Sequence, residues 1–400
     1  MERLTTESAQ KIIAAARDDA RISGLTHTFY KYPARLSPRF VRVVIETLSE
    51  PGDLILDPFV GGGTTPVEAR ALGRSCIGVD NNELAVFVSR VKTTYLSRPQ
   101  VARVETIAQD LRKNSSLLQK PPRPQEWIAS GYLKNLNSVS VWRLRNLIEL
   151  MIGRISRIRD RRIQWFLRCA VLNTGQWALD NRRNTPSVEE FRERFIEAVE
   201  FMLSGMQELR ANEYAAIRLG VPVSPVKTRI IHSAAREIHL HPSLKAGTPP
   251  TLVITSPPYP GVHVLYHRWQ IHGRRETPAP FWIANCADGH GESRYTFGWR
   301  GEKGLTDYFS ELQESFRSIV TSVQRGALVV QVVAFSEPEW QLPRYLQVLT
   351  DVGLKEISLP AEPEAGERRL WRKIPNRKWY AWRNEQLASN REVILVHRVA

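Results

Sequence analysis

A short apolar run, a turn built on consecutive glycines, a helix, and a second apolar run that closes on an acid follow one another between Gly52 and Lys92. Few folds accommodate that order. Asp53-Leu54-Ile55-Leu56 is the first run, Asp57-Pro58-Phe59-Val60-Gly61-Gly62-Gly63-Thr64-Thr65 the turn, and Pro66 to Leu72 the helix, with its proline tolerated in the first turn. Gly73 stops that helix, Ser75-Cys76-Ile77-Gly78-Val79 runs to Asp80, and Asn82 to Lys92 resumes a helical pattern. Strand, glycine loop, helix, strand, acid is the opening of a doubly wound α/β domain.

The alternation then lapses. Trp142 to Ile158 carries apolar residues at helical spacing, and Ile163 to Leu179 and Val188 to Leu209 continue as amphipathic helices. Pro121-Pro122-Arg123-Pro124 reads as an extended linker ahead of them, and Gly220 to Pro225 closes the region. Strand character returns at Thr228 to His232 and at Thr251-Leu252-Val253-Ile254. A helix from Leu305 to Val323, a strand from Ala327 to Val333, a helix from Pro343 to Val352 and a strand from Val393 to Val399 complete the pattern. The expected organisation is an α/β domain split into residues 1–100 and 226–400 around a mostly helical insertion at 101–225.

Composition narrows the partners. The 56 Lys+Arg against 41 Asp+Glu leave +15, a field that draws polyanions such as nucleic acid or anionic membrane and repels cationic substrates. Cys76, Cys169 and Cys286 lie far apart with no CxxC pair, so neither a disulfide framework nor a cysteine zinc site is readable, and a reducing compartment fits best. No run approaches the roughly 18 apolar residues of a membrane span, and the first residues lack the apolar core of a secretory signal. A soluble cytoplasmic protein is expected. His263 and His267, and His239 and His241, are spaced as pairs without a third ligand or an intervening Glu, so no metal is expected.

Two loops carry the chemistry. Gly61, Gly62 and Gly63 let backbone approach a nucleotide-like ligand, and Asp80, ending the next strand, is placed to accept ribose hydroxyls. Ser256-Pro257-Pro258-Tyr259 follows another strand and is expected on the same sheet edge. Its prolines fix the backbone and remove two N–H donors, leaving carbonyl and hydroxyl oxygens to accept hydrogen bonds, while Tyr259 offers a ring for stacking. An exocyclic amine on a nucleobase needs that combination, because accepting its N–H bonds favours a pyramidal, nucleophilic nitrogen.

Together, Asp57 to Thr65 and Thr255-Ser256-Pro257-Pro258-Tyr259 resemble the amino-methyltransferases of DNA, which move methyl from S-adenosylmethionine to cytosine N4 or adenine N6. His27 to Phe40, with Tyr32-Pro33-Ala34-Arg35, resembles the family segment beside the methionine end of the cofactor, and Gly73 to Asn82 resembles its second strand. The resemblance covers roughly residues 27–95 and 228–270. It implies a Rossmann-like methyltransferase sheet with helices on both faces. It also implies that Tyr32, Pro33, Asp57, Phe59, Gly61, Gly63, Thr64, Asp80 and Asn81 line S-adenosylmethionine, and that Ser256, Pro257, Pro258 and Tyr259 handle the target amine. Ser256, where adenine enzymes more often carry Asp or Asn, tilts the expectation to cytosine N4. Ser233 departs from the family, which often has Asp near the adenine ring. No cysteine follows a proline, so the covalent route to cytosine C5 is disfavoured.

Double-stranded DNA is the implied partner, with a cognate restriction endonuclease as a possible second one. A recessed loop requires the base to be flipped out of the duplex. Arg143, Arg145, Arg154, Arg157, Arg159, Arg161, Arg162, Arg168, Arg182 and Arg183 are candidate phosphate contacts, with a solvated helix face as the alternative. The basic, aromatic stretch from Arg368 to Arg383 is either a strand clamp or a hairpin packed on the sheet. Tyr266 to Trp269 and Gly273 to Glu276 are expected to border the cleft. RNA methylation, and a catalytically silent nucleic-acid-binding protein, are the competing functions.

Overall fold

The computed structural model describes residues 4–18, 20, 22–32, 35–114, 125–220, 226–245, 247–260, 267–273, 275–289, 296–298, 301–359, 369–373 and 391–400. Pro33, both Pro-rich linkers, Tyr266, Arg274 and most of the basic, aromatic stretch lie outside them.

The chain opens with α1 (Thr6–Arg17) and α2 (Pro38–Leu48), then runs β1 (Leu54–Asp57), α3 (Thr64–Ala71), β2 (Ser75–Asp80) and α4 (Glu83–Lys92). Helices follow: α5 (Arg98–Asn114), α6 (Gln125–Ala129), α7 (Trp142–Ile155), α8 (Arg161–Leu179) and α9 (Val188–Gly220). Next come β3 (Thr228–His232), a 3-10 turn at Ala235–Leu240, α10 (Pro242–Lys245) and β4 (Leu252–Thr255). The hairpin β5 (Trp269–Ile271) and β6 (Arg275–Thr277) leads to α11 (Ala279–Ala284) and α12 (Glu302–Ser322). The last elements are β7 (Leu328–Ala334), α13 (Pro338–Asp351), β8 (Leu354–Glu356), β9 (Leu370–Lys373) and β10 (Arg391–Val399).

Local chemistry sets the helix starts. Ser37 caps α2 through Phe40 N–H with Pro38 in the first turn, Asn82 caps α4 through Leu84 N–H, and Asp160 accepts from Arg162 and Ile163 N–H at the head of α8. Helix α13 begins five residues earlier than the pattern from Pro343 suggests, because Pro338 opens it and Pro343 is carried inside.

The main sheet runs β3-β2-β1-β4-β7-β10-β8, with β9 pairing β10. Strands β3, β2, β1, β4 and β7 are parallel, and β10 is antiparallel to β7, β8 and β9. This is a Rossmann-like, doubly wound sheet. The chain moves outward from β1 to β2 and β3, then returns to lay β4 on the other side of β1, so the order reverses between β1 and β4. In open α/β sheets a ligand crevice forms outside the carboxyl ends of the strands at such a point.

Alternation along the strands divides two cores. Ile55, Leu252, Ile254, Val330 and Val332 face Phe40 and Val44 of α2, and Leu56, Val253, Val329 and Val333 face Phe316 and Tyr345 of α12 and α13. A third core is helical. Val104, Leu147, Met151, Phe166, Val171, Phe195 and Met202 pack with one another and with Trp269, Ile271, Phe281 and Trp282. The β5–β6 hairpin and α11, which lie beyond Tyr259 in sequence, thus join the helical layer.

Candidate active site

The glycine turn and the Ser256–Tyr259 loop meet. Strands β1 and β4 are hydrogen-bonded neighbours with Leu56 opposite Val253, which sets their carboxyl ends side by side. Thr255 Oγ1 donates to Asp57 Oδ1 at 2.9 Å across this junction, and Phe59 N–H donates to the same oxygen at 3.2 Å. Asp57 is buried, and the loss of solvent pushes its carboxyl up to about 6. Its observed role is to tie the loops together.

The glycine turn is held just as closely. Asp80 Oδ2 accepts Gly61 N–H at 2.9 Å and Oδ1 accepts Asn82 N–H at 2.9 Å. Desolvation raises Asp80 to about 6 despite those bonds. Gly61 has φ +48°, and Gly63, at φ +80°, precedes α3 with no room for a side chain: a Cβ there would stand 2.7 Å from Ser89 Oγ. Tyr32 is buried with its ring against Gly61, and its hydroxyl accepts from Asn82 Nδ2 at 3.3 Å. Thr64 is buried at the start of α3, Phe59 is partly exposed with its ring edge-on to Phe297 at 5.5 Å, and Asn81 is exposed. Ser233, beyond β3, donates its N–H to the Asp80 carbonyl at 3.1 Å.

Sequence reasoning misses what stands behind this turn. Lys92 Nζ, buried, donates to the Gly62 carbonyl at 2.7 Å, and burial holds the amine well below the ordinary lysine range. His27 and Glu68 form a buried contact at 2.6 Å, and Arg42 donates to the second Glu68 oxygen at 2.8 Å. Burial lowers His27.

The Ser256–Tyr259 loop is also pinned by residues remote in sequence. The Ser256 hydroxyl lies 3.1 Å from the Tyr259 hydroxyl, which donates to Glu392 Oε1 at 3.0 Å. Glu392, near the start of β10, is ion-paired with Arg372 of β9 at 2.8 Å. Tyr308 of α12 donates to the Pro258 carbonyl at 2.9 Å, so that oxygen already has a protein partner. Pro257 is buried and Tyr259 partly buried, and burial raises the Tyr259 phenol above its ordinary value. An acid opening a strand looks from sequence like a solvated end, so nothing local marks Glu392.

The arginines of the helical layer separate into two groups. Arg145 is paired with Glu149 at 2.7 Å, Arg154 with Asp110, and Arg168 is buried, donating to the Ile283 carbonyl and Ser156 Oγ at 2.7 Å each. Arg168 is thereby withdrawn from the surface where the sequence suggests a phosphate contact. Arg157, Arg159, Arg161 and Arg162, around the α7–α8 turn, are exposed. Asp160 between them is occupied by α8 N–H groups and by Gln100 Nε2. Arg182 and Arg183 are exposed at the other end of α8, with Arg182 over the Trp177 ring at 4.7 Å. His239 contacts Ser318 Oγ at 2.8 Å and His241 accepts from Ser243 N–H, and no helix of the described residues is long and apolar enough to cross a membrane.

With the loops joined, comparison with known proteins is informative. Residues 10–89, which hold the glycine turn and Asp80, match the N6_N4_Mtase family, described as DNA methylase. The similarity is confined to this stretch. Over 82 residues the chain is 35% identical to the type II methyltransferase M.MvaI of Kocuria varians, covering 20% of this chain and 18% of that protein. It is 40% identical over 60 residues to the type II methyltransferase M2.DpnII of Streptococcus pneumoniae, covering 15% and 22%, and 34% identical over 73 residues to the DNA adenine methyltransferase YhdJ of Escherichia coli K12, covering 18% and 25%. The matches thus span a quarter or less of these relatives' lengths. Among solved structures, the rRNA methyltransferase aviRa of Streptomyces viridochromogenes aligns over 96% of both chains at 11% identity with a TM-score of 0.37.

Proposed function

We propose that the chain transfers a methyl group from S-adenosylmethionine to an exocyclic amine of a base in double-stranded DNA, cytosine N4 ahead of adenine N6. The observation that supports this reading is the Thr255-to-Asp57 hydrogen bond, which joins the glycine turn and the Ser256–Tyr259 loop across adjacent strand tips at the switch point. The residues fit the cofactor. Asp80 accepts the backbone N–H groups of Gly61, Asn82 and Asn81, and an ionised carboxylate offers about four acceptor positions, so capacity remains for a ribose hydroxyl. Beside it Phe59 is partly exposed and Asn81 exposed.

Bound there, the cofactor supplies an electrophilic methyl carbon. Tyr259 stacks the flipped base, Ser256 and the Pro257 carbonyl accept the amine N–H groups, and Asp80 and Asn81 orient the donor. Ser256 favours cytosine N4. The exposed arginines around the α7–α8 turn hold phosphates, which makes residues 101–225 the DNA-contacting part, and a cognate restriction endonuclease is the partner such an activity calls for. The site of action is the cytoplasm. The test is incubation of the purified chain with methyl-labelled cofactor and duplex DNA of mixed sequence. Label recovered in N4-methylcytosine is the expected outcome; label in N6-methyladenine reverses the base preference, and unlabelled DNA refutes the activity.

A further inference from the structure

The reading of Ser256–Tyr259 as the amine-binding loop leaves a chemical gap. A family loop that opens with Asp puts a negative charge directly on the target amine, whereas Ser256 is neutral. The amine nitrogen must nonetheless lose a proton as it gains a methyl group.

The geometry around Tyr259 fills that gap. A tyrosine hydroxyl has a single proton, and here it points to Glu392 Oε1 at 3.0 Å. The 3.1 Å contact between Ser256 and Tyr259 can then be made only by the serine donating. This fixes the Ser256 proton on the Tyr259 side and leaves the serine lone pairs to accept. A solvent-exposed serine would instead rotate freely between donor and acceptor roles. Glu392 and Arg372 are both buried, with Arg372 Nε 2.9 Å and Nη2 2.8 Å from Glu392 Oε2, so Oε1 faces the tyrosine. Arg372 is anchored in turn by the Ala16 carbonyl at 3.5 Å and by the Phe40 ring, 5.6 Å from its guanidinium carbon. Five separate segments therefore converge to hold one carboxylate two hydrogen bonds behind the serine.

We propose that Glu392 is a positioning residue that supplies, through Tyr259 and Ser256, the negative charge and proton acceptor that Ser256 lacks. As the amine nitrogen bonds to the methyl carbon, the electrons of the broken carbon–sulfur bond stay on sulfur. The N–H proton passes to Ser256 Oγ, the serine proton to Tyr259 Oη, and the tyrosine proton to Glu392 Oε1, which is left as a neutral acid and later releases the proton to solvent. Tyr259 thus serves the reaction through its hydroxyl as well as through its ring.

Three variants and one spectrum test this. Tyr259→Phe keeps the ring and the Arg372–Glu392 pair but cuts the line, and should lower kcat by about 10²-fold with cofactor and DNA affinities unchanged. Glu392→Gln should lower kcat similarly. Adding Ser256→Asp to Glu392→Gln returns a carboxylate to the amine and should restore at least about tenfold of the loss, while Ser256→Asp alone crowds two anions and lowers kcat. In the full chain without cofactor or DNA, the Glu392 carboxylate band in an isotope-edited infrared difference spectrum should shift in Tyr259→Phe. Unchanged turnover in Tyr259→Phe, or a double variant no faster than Glu392→Gln, overturns the proposal. If Glu392→Gln does not fold, Tyr259→Phe and its spectrum decide. Methyl transfer by the wild-type chain without a band shift in Tyr259→Phe overturns the relay alone, and a band shift in Tyr259→Phe beside a wild-type chain that methylates no DNA overturns the loop's methyl-transfer reading and the relay with it.

Discussion

The sheet edge and the helical layer solve the placement of charge in opposite ways. At the edge, Asp57, Asp80 and Glu392 are all directed inward, to Thr255, to the Gly61 and Asn82 N–H groups, and to Tyr259 and Arg372. Each orients a loop. In the helical layer the charges are sorted instead: Arg145 and Arg154 are neutralised by Glu149 and Asp110, and Arg157, Arg159, Arg161 and Arg162 remain on the surface. Chemistry needs fixed geometry, and polyanion binding needs uncompensated charge. The proposed function assigns methyl transfer to the first region and DNA binding to the second.

The comparison can be broken most sharply at Tyr259. Tyr259→Ala removes both the stacking ring and the hydroxyl, and should reduce methyl transfer on the order of 10²-fold or more while cofactor affinity stays near normal. Steady-state turnover with a parallel calorimetric titration checks it, and unimpaired turnover removes Tyr259 from the site. Arg168→Ala comes next. Loss of two charge-assisted bonds in a buried position should lower unfolding stability by roughly 2–4 kcal/mol in a denaturant titration, with the salt dependence of DNA binding unchanged. A changed salt slope would return Arg168 to the phosphate-binding surface.

Asp80→Ala should weaken cofactor binding by about 1–3 kcal/mol, and equal calorimetric affinity would reject the ribose role. The same carboxyl predicts a pH dependence. Its value in the folded chain, about 6, lies above the ordinary 3.8, so between those values the folded chain keeps a proton that the unfolded chain has lost. This stabilises the fold fully below about pH 4, and the contribution is lost as pH rises through 6. Ribose binding has the opposite sign, since it needs the ionised form: cofactor affinity should fall by about tenfold per unit below pH 6. A flat affinity between pH 5 and 7 contradicts it. The smallest single effects belong to the helical surface. Replacing any one of Arg157, Arg159, Arg161 or Arg162 by Gln should reduce the salt slope of DNA binding by up to about one, whereas Arg145→Gln should leave it unaltered.

Sequence was informative where backbone demands are local. Glycine at 61 and 63, the acid at 80 and the prolines at 257 and 258 each answer a constraint met within a few residues, and parallel strands followed by loops place both sets on one edge. Partners drawn from distant segments left no such mark. Glu392 reaches Tyr259 across 133 positions, Tyr308 reaches Pro258 across 50, and Lys92 reaches Gly62 across 30. Arg145 and Glu149, four apart on one helix, were pairable from spacing alone. Arg168 was not assignable that way, because α8 is buried on every side from Phe166 to Leu172 and offers it no wet face.

The central claim is that adjacent tips of β1 and β4 bring a methyl donor to a base amine. Expression of the chain in a host free of DNA modification, followed by sequencing that separates N4-methylcytosine, N6-methyladenine and C5-methylcytosine, tests it most directly. The account predicts N4-methylcytosine at one position of a short recurring sequence, and its disappearance in Tyr259→Ala. Genomic DNA without any amino-methylated base, from cells in which the folded chain binds S-adenosylmethionine, would contradict it.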